Sequence, residues 1–345
     1  MVDFINMTTP AYLKSIGYYH AQFKESWNGI NRIKLPKNFH GVSEVIIAGM
    51  GGSSFGARVV TSAFLDELTL PVHLIESYDL PEYADETTLV VVTSYSGNTE
   101  ETVSVLEKAR VKGCKIFAIT SGGKLKNVVD SGNIPGYIFD ANYNPSGSPR
   151  TGIGYIVGST LGLLTSLKFL DYSQQQAMRT ASFIKHFSEL LSKSGDMIYK
   201  ISSKIDGLIP VFISSEHLIS ASYIIRNFMN ETAKNLGFTV EIPPMNHHFL
   251  DGLEFPSEIN KQFIFIYLIS SLYNERDKKR FEISRGITKQ RGIADVAITL
   301  GAKNKLDEIW EAIIIGSLVS YNLAIVHKVD PRTNEMVDIL KRELG

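Results

Sequence analysis

Two stretches rich in glycine, serine and threonine have the composition of loops that hold a negatively charged group. The first reads GMGGSSFG, from Gly49 to Gly56, and the second reads TSYSGNTEET, from Thr93 to Thr102. Glycine allows consecutive backbone N–H groups to converge on an anion, and hydroxyl groups add donors without adding charge. A helix that begins directly after such a loop adds the positive end of its dipole. Both stretches therefore predict binding of a phosphate group.

The second stretch has a simpler alternative. Three hydroxyl side chains surround Gly97 just where a helix is expected to start, and they belong to Ser94, Ser96 and Thr99. Polar residues at this place can serve only as a helix cap, with a glutamate three residues later returning a hydrogen bond. Asn98 and Glu101 have that spacing. A cap and a phosphate site are compatible, because a capping side chain can also face a ligand.

The first stretch has a rival interpretation as a dinucleotide-binding loop. It begins as G-x-G after a strand, and Glu76 lies at the end of the next strand, where such folds keep a carboxylate for ribose. Ser54 replaces the third glycine of the full motif, although Gly56 is close. Two serine-rich loops on neighbouring strands fit a compact phosphate monoester better than a pyrophosphate that lies on one loop.

Both loops require strands to position them. Apolar runs alternate with helical patterns, which is typical of parallel α/β architecture. The first half of the chain predicts strands at residues 43–48, 71–75, 89–93, 115–120 and 137–139. Each of the two loops then lies at the carboxyl end of a strand, where open α/β sheets bind their ligands.

The pattern restarts in the second half of the chain. A long helical stretch is predicted from Tyr155 to about Lys193, and strands follow at residues 208–215, 263–270 and 295–299. We therefore predict two three-layer α/β/α domains, each with a mainly parallel sheet flanked by helices. The expected domains are residues 1–153, with a helical extension at the N-terminus, and residues 154–345, which begin with linking helices.

Composition excludes several classes of protein. The chain has 345 residues and a net charge of -1, which favours neither nucleic acid nor an anionic membrane surface. Cys114 is the single cysteine, so no disulfide can form within one chain. The N-terminus lacks a signal-peptide pattern, and no run approaches 18 continuous apolar residues. We expect a soluble cytoplasmic protein.

Several motifs together resemble the bifunctional phosphoglucose/phosphomannose isomerases, which are built from two sugar-isomerase (SIS) domains. The motifs are GMGGSSFG, TSYSGNTEET, PSGSPR, NE-x14-NHH and a K-x-D-P turn near the C-terminus, and the resemblance runs from Ile46 to Leu344. It implies two SIS-type domains and interconversion of glucose 6-phosphate and fructose 6-phosphate, with mannose 6-phosphate as a further substrate. No cofactor and no metal are implied.

The resemblance also implies roles for individual residues. The sugar phosphate is held by Ser94, Ser96 and Thr99, helped by Gly51, Gly52 and Ser53. Glu231 matches the general base, Arg150 the arginine beside the enediolate, and Lys328 the lysine near the ring oxygen. His247 matches a histidine that assists ring opening and reaches into the partner subunit's site, so a homodimer is implied. The motif N-H-N-E reads NHHF here, which leaves His248 as the alternative.

Other interpretations of these residues stay open. Glu231 could be a solvated helix glutamate that pairs with Lys234 at i+3. The pair His247-His248 leaves a metal site as an alternative, although neighbouring histidines point in different directions on most backbones. A non-catalytic SIS module that senses a sugar phosphate would need the phosphate loops but no base. An NAD-dependent dehydrogenase would use the first loop and Glu76.

Overall fold

The structure, a computed structural model, describes residues 2–193 and 195–344, and of residues 2–9 and 193 it describes the backbone alone. Contacts within the chain divide it into two units. The first unit is Gly17–His186, and the second unit is Met1–Ile16 together with Phe187–Gly345. Helix α1, Val2–Gly17, belongs mainly to the second unit.

A parallel sheet forms the centre of the first unit. Its strands are β1 Glu44–Ala48, β2 Val72–Ile75, β3 Thr88–Ser94, β4 Lys115–Thr120 and β5 Gly136–Ile138, in the order β2-β1-β3-β4-β5. Every residue of β3 is buried, which is expected of a central strand covered by helices on both faces. The helices are α2 Tyr19–Ile30, α3 Phe55–Phe64, α4 Glu100–Val111, α5 Gly123–Asp130, α6 Ile153–Ser166 and α7 Gln174–Lys193.

Helix α6 belongs with this first sheet. It packs along α2 and α3, and its residue Gly154 donates its backbone N–H to the Gln22 carboxamide at 3.0 Å. The predicted domain boundary between residues 153 and 154 therefore falls inside the first unit. The predicted helical stretch from Tyr155 to Lys193 is two helices, because Lys168 turns the chain with a φ of +63° between α6 and α7.

The second unit contains another parallel sheet. Its strands are β6 Ile209–Ser214, β7 Phe238–Glu241, β8 Phe263–Ile269 and β9 Ala294–Thr299, in the order β7-β6-β8-β9. The remaining helices are α8 Asp196–Ile205, α9 Ile219–Glu231, α10 Glu275–Gln290, α11 Lys305–Val326 and α12 Glu335–Leu344. Helix α11 packs on α8 and α9. By length and composition α11 could cross a membrane, but 78% of its apolar window is buried inside the protein, as in a core helix.

The predicted fold class is confirmed, since both units have a parallel sheet flanked by helices. Three elements were not predicted from the sequence, namely β7, α5 and α8. Strand β7 lies at an edge of its sheet and none of its four residues is buried. Its four residues, FTVE, alternate between apolar and polar, but the run is too short to predict a strand by its alternation.

Candidate active site

The first glycine-rich loop follows β1 and leads into α3. Gly51 has a φ of +51°, and a 3-10 turn over Gly51–Ser54 ends where α3 begins. The Ser54 hydroxyl donates to the Gly51 carbonyl at 2.8 Å, which closes this turn. The Ser53 hydroxyl accepts a hydrogen bond from the backbone N–H of Tyr95 at 3.0 Å. Since Tyr95 belongs to the second loop, this bond joins the two predicted phosphate loops.

The second loop is organised by its own hydroxyl groups. The Ser94 and Thr99 hydroxyls lie 2.7 Å apart, and the backbone N–H of Gly97 donates to the Ser94 hydroxyl at 3.0 Å. Thr99 occupies the N-cap position of α4 without a side-chain cap hydrogen bond. The Asn98 carboxamide accepts from Lys124 N at 3.0 Å. The interpretation of this stretch as a helix cap alone thus finds no support in the hydrogen bonds around α4.

Arg150 lies against the first loop. It stands in a 3-10 turn, Pro149–Gly152, and only 1% of its surface is exposed. A Cβ atom on Gly52 would lie 3.2 Å from the backbone nitrogen of Arg150 and from Pro149. Glycine therefore allows this close approach of the two backbones, which sets the Arg150 turn beside the predicted phosphate loop.

A buried polar network holds the Arg150 turn in place. The Asn144 carboxamide donates to the Tyr95 hydroxyl at 2.8 Å and to the Ser148 carbonyl at 2.9 Å. The Thr151 hydroxyl donates to the side-chain oxygen Oδ1 of Asn144 at 2.7 Å, and the Gln22 carboxamide donates to the backbone carbonyl of Thr151 at 2.9 Å. Buried polar groups that are fully bonded in this way fix one arrangement of a loop. The network therefore ties the Arg150 turn to the second phosphate loop.

Tyr95 connects the two predicted phosphate loops with the loop that carries Asn144 and Arg150. Its backbone bonds to Ser53, and its hydroxyl bonds to Asn144. Burial raises the pKa of Tyr95, an effect that the hydrogen bond from Asn144 only partly offsets, so the phenol stays neutral. Neither Tyr95 nor Asn144 was predicted as a site residue. The sequence pointed to them in one way only, since both side chains can form hydrogen bonds and both lie in loops that contain predicted site residues.

The carboxylate expected of a dinucleotide-binding fold already has a partner. Glu76 follows β2 and accepts a hydrogen bond from the Arg58 guanidinium. Both side chains are about three-quarters buried, with relative exposures of 24% and 25%. In a dinucleotide-binding fold, the Glu76 carboxylate would have to bind the ribose of the nicotinamide dinucleotide. Here it is already paired with Arg58, which favours the phosphate-monoester interpretation of the first loop.

In the second unit, Glu231 and Lys328 line one cavity. The cavity has a volume of about 800 Å³ and is formed by the end of α9, the turn after α11 and the start of α12. Glu231 is the last residue of α9, and one of its carboxylate oxygens accepts from the Asn334 carboxamide at 3.3 Å. The Lys234 ammonium donates to the backbone carbonyl of Glu231 at 2.5 Å. The predicted base and the predicted lysine are thus neighbours across this cavity.

The turn that carries Lys328 has a definite geometry. Lys328 has a φ of +58° and donates its backbone N–H to Ile325 at 3.1 Å, which ends α11. Asp330 also lines the cavity. Burial opposes its ionisation, but hydrogen bonds from Arg332 outweigh this effect and lower the pKa of Asp330. The cavity therefore contains both a cationic and an anionic group beside Glu231.

His247 stands elsewhere in the second unit. It ends a 3-10 turn, Pro244–His247, and both His247 and His248 are exposed. The preceding Asn246 is anchored on α10, where it accepts from Arg280 at 3.1 Å and donates to the Ser284 hydroxyl at 2.6 Å. Among the described residues, neither histidine lines the cavity of Glu231 and Lys328.

At the strand ends of the second sheet, carboxylates of the protein itself accept the hydrogen bonds of the nearby donors. After β6, the Ser215 hydroxyl donates to Asp277 at 2.7 Å, and the Glu216 carboxylate accepts from the backbone N–H of Asn274 at 2.8 Å. After β8, the Ser270 hydroxyl donates to Glu308, which also bonds to His217 at 2.8 Å. These donors are already bonded to carboxylates, and the negative charge of the carboxylates repels an anion. This edge of the second sheet therefore differs in chemistry from the phosphate loops of the first.

Comparisons with known proteins identify the family of this chain. Residues 196–344 match the family described as "Bacterial phospho-glucose isomerase C-terminal SIS domain", and residues 39–126 match the SIS domain. A bifunctional phosphoglucose/phosphomannose isomerase of Caldicellulosiruptor bescii is 30% identical over 318 residues, which cover 88% of this chain and 90% of that protein. The chain belongs to the bifunctional phosphoglucose/phosphomannose isomerase family.

Further relatives support the family and the fold. Another bifunctional phosphoglucose/phosphomannose isomerase, from Thermoplasma acidophilum, is 30% identical over 306 residues, with coverages of 88% and 90%. The solved C-terminal domain of glucosamine-fructose-6-phosphate aminotransferase from Francisella tularensis superposes with a TM-score of 0.73 at 14% identity, covering 94% of this chain and 98% of that one. At that identity the superposition shows the shared SIS fold alone.

Each unit of this member of the bifunctional phosphoglucose/phosphomannose isomerase family contains one group of predicted site residues. The first unit brings together the phosphate loops and Arg150, and the second unit brings together Glu231 and Lys328. Over residues 2–193 and 195–344, the structure contains no group of three or more His, Cys, Asp or Glu that could hold a metal ion.

Proposed function

We propose that the protein interconverts glucose 6-phosphate and fructose 6-phosphate, and also mannose 6-phosphate and fructose 6-phosphate. The observation that carries this proposal is the cradle of the first unit, where two hydroxyl-rich loops are bonded to each other and packed against a buried arginine. A phosphate monoester fits such a site because its oxygens can accept hydrogen bonds from the backbone N–H groups of the glycines, from the hydroxyls and from the N-terminus of the helix. These donors bind an anion although they carry no formal charge.

The phosphate contributes to the reaction indirectly. In our proposal Ser94, Ser96 and Thr99 hold it together with Gly51, Gly52 and Ser53. The phosphate takes no part in the chemistry, but its binding energy orients the reacting carbons of the sugar. The hydrogen bonds between the loops support this role, because they fix the hydroxyl positions before a ligand arrives.

The proposed chemistry is a proton transfer between C2 and C1 of the open-chain sugar. The Glu231 carboxylate takes the proton from C2 of the aldose, and a cis-enediolate forms as its electrons move to the carbonyl oxygen. The proton of the C2 hydroxyl moves to O1, Glu231 returns its proton to C1, and the carbonyl of the ketose forms at C2. The Arg150 guanidinium, which is always charged, stabilises the negative oxygen of the intermediate. No electron is exchanged with a cofactor, and protons balance over the cycle.

Ring opening is assigned to His247 and Lys328. A histidine titrates near neutrality and can move the proton between the ring oxygen and the hydroxyl at the anomeric carbon. The exposure of His247 supports a role at the partner subunit's site in a homodimer, with His248 as the alternative residue. Lys328 would lie near the ring oxygen. We also infer a cytoplasmic location, because a chain with a single cysteine cannot form the intrachain disulfides that are common in secreted proteins.

A coupled assay tests the proposed function. We expect the purified protein to interconvert fructose 6-phosphate with glucose 6-phosphate and with mannose 6-phosphate, and to keep its activity in EDTA. Activity that disappears in EDTA and returns with a divalent metal would contradict the metal-free mechanism. Tight binding of fructose 6-phosphate without turnover would instead favour a non-catalytic sensor. Binding of NAD(H), measured by fluorescence titration, would favour the dehydrogenase alternative.

We further expect each chain to bind one molecule of fructose 6-phosphate, because carboxylates close the strand ends of the second sheet. Isothermal titration calorimetry measures this stoichiometry directly. The variant Ser94→Ala should weaken binding, since its hydroxyl organises the second loop. The variant Ser215→Ala removes a serine at the end of β6 and should leave both affinity and stoichiometry unchanged. Two molecules bound per chain would contradict this prediction.

A further inference from the structure

We propose that Asn334 is a positioning residue that orients the Glu231 carboxylate for proton transfer, an inference that rests on the proposed role of Glu231 as the base. Asn334 directly precedes α12, and its carboxamide nitrogen lies 3.3 Å from one oxygen of the Glu231 carboxylate. An ionised carboxylate can only accept hydrogen bonds, so the amide of Asn334 is the donor. A hydrogen bond to one oxygen of the carboxylate fixes the orientation of the group, so its other oxygen points in a defined direction for proton transfer.

A second contact fixes the backbone on which Asn334 stands. The Lys234 ammonium donates to the carbonyl of Glu231 and also to the carbonyl of Thr333, the residue before Asn334. Lys234 itself has a φ of +53°, which turns the chain back towards the end of α9. One side chain therefore bridges the residue that bears the base and the residue next to its hydrogen-bond donor. The two contacts together set the distance between Asn334 and Glu231.

Helix α12 contributes to the cavity mainly through its beginning. Thr333, Asn334 and the first three residues of the helix line the cavity of Glu231 and Lys328. None of the described residues of α12 is buried, and Met336, Leu340 and Leu344 have exposures of 77%, 58% and 68%. Since α12 adds no buried side chain to a core, a substitution at Asn334 should leave the folded unit intact. The effect of such a substitution on kcat can then be measured without a loss of the fold.

The expected effect of Asn334→Ala is a fall in kcat of roughly 10- to 100-fold with KM little changed, because a small misplacement of a reacting group costs about that much in rate. KM should be spared since the phosphate loops belong to the first unit. Asp338→Ala, on α12 outside the cavity, is the control and should behave as the unmodified protein. An Asn334→Ala protein with unchanged kcat would overturn the proposal.

The variant Asn334→Asp gives a readout that a purely structural role would not move. It places a second carboxylate beside Glu231, and two neighbouring carboxylates resist joint ionisation. We expect its activity to be low near neutral pH and to recover towards higher pH, whereas Asn334→Ala removes one hydrogen bond to the ionised carboxylate and should move the pH profile upward by a much smaller amount. The other charged groups that line the cavity are the same in both variants, namely Lys234, Lys328, Asp330 and Glu335. Identical profiles for the two variants would count against a positioning role.

A double-mutant cycle separates this inference from the proposed function. If Asn334 acts through Glu231, then Asn334→Ala should have no further effect on the residual rate of a Glu231→Gln protein. Full activity of Glu231→Gln alone would remove the proposed base, whatever Asn334 does. A large loss in Glu231→Gln with none in Asn334→Ala would leave the base in place and overturn the positioning role alone.

Discussion

Replacing Glu231 by glutamine is expected to lower kcat by roughly 10²- to 10⁴-fold, the range that a general base contributes. Glutamine keeps the size of the side chain and can still accept a hydrogen bond from Asn334, but it cannot take a proton from C2. The affinity for fructose 6-phosphate should change little, because the proposed phosphate contacts belong to the first unit. The measurements are steady-state kinetics in both directions and calorimetric binding of fructose 6-phosphate.

Exchange of hydrogen with solvent makes this test sharper. The carboxylate that carries the proton between C2 and C1 can lose it to water, so substrate in D2O should take up deuterium at these carbons. Glu231→Gln should lose this exchange together with turnover. Glu335→Gln changes a second glutamate that lines the same cavity, and we expect this variant to keep both deuterium exchange and turnover. A Glu231→Gln protein that turns over at the normal rate would exclude Glu231 as the base.

Replacing Gly97 by alanine is expected to destabilise the first unit by about 2–4 kcal/mol and to abolish phosphate binding. Gly97 has a φ of +73°, and a Cβ atom there would lie 1.7 Å from the carbonyl oxygen of Gly122. Rotation of a side chain cannot relieve this contact, because the carbonyl belongs to the backbone and the backbone fixes the position of the Cβ atom. The second loop must move, and with it the bond between Gly97 and the Ser94 hydroxyl.

Thermal unfolding measures the stability change, and calorimetry with fructose 6-phosphate measures binding. A loss of this size should lower the Tm by roughly 4–16 °C for a unit of this length. Gly132→Ala is a matched control, since Gly132 has the same φ of +73° but no other group lies within 4 Å of the place that its Cβ atom would take. It isolates the backbone cost, about 1–2 kcal/mol. Equal effects of the two substitutions would show that the contact with Gly122 is unimportant.

The sequence by itself determined the class of fold and the place of the loops. Apolar runs such as Leu89–Val92 and Ile116–Ile119 are buried in parallel strands of the structure. These predictions succeed because periodicity and turn chemistry are local properties of the chain. The same holds for the glycine-rich loop after β1, whose glycines and following helix could be read directly from the residues.

Only the tertiary structure decided which side chains meet. The bonds Tyr95–Asn144 and Glu231–Asn334 join residues that are 49 and 103 positions apart, and no local pattern specifies such pairs. The same is true of the carboxylates that close the strand ends of the second sheet. Such contacts depend on how separate elements pack, so they follow from the fold and not from periodicity. The hydroxyls around Gly97 were visible in the sequence, whereas the bond between Ser53 and Tyr95 that joins the two loops was not.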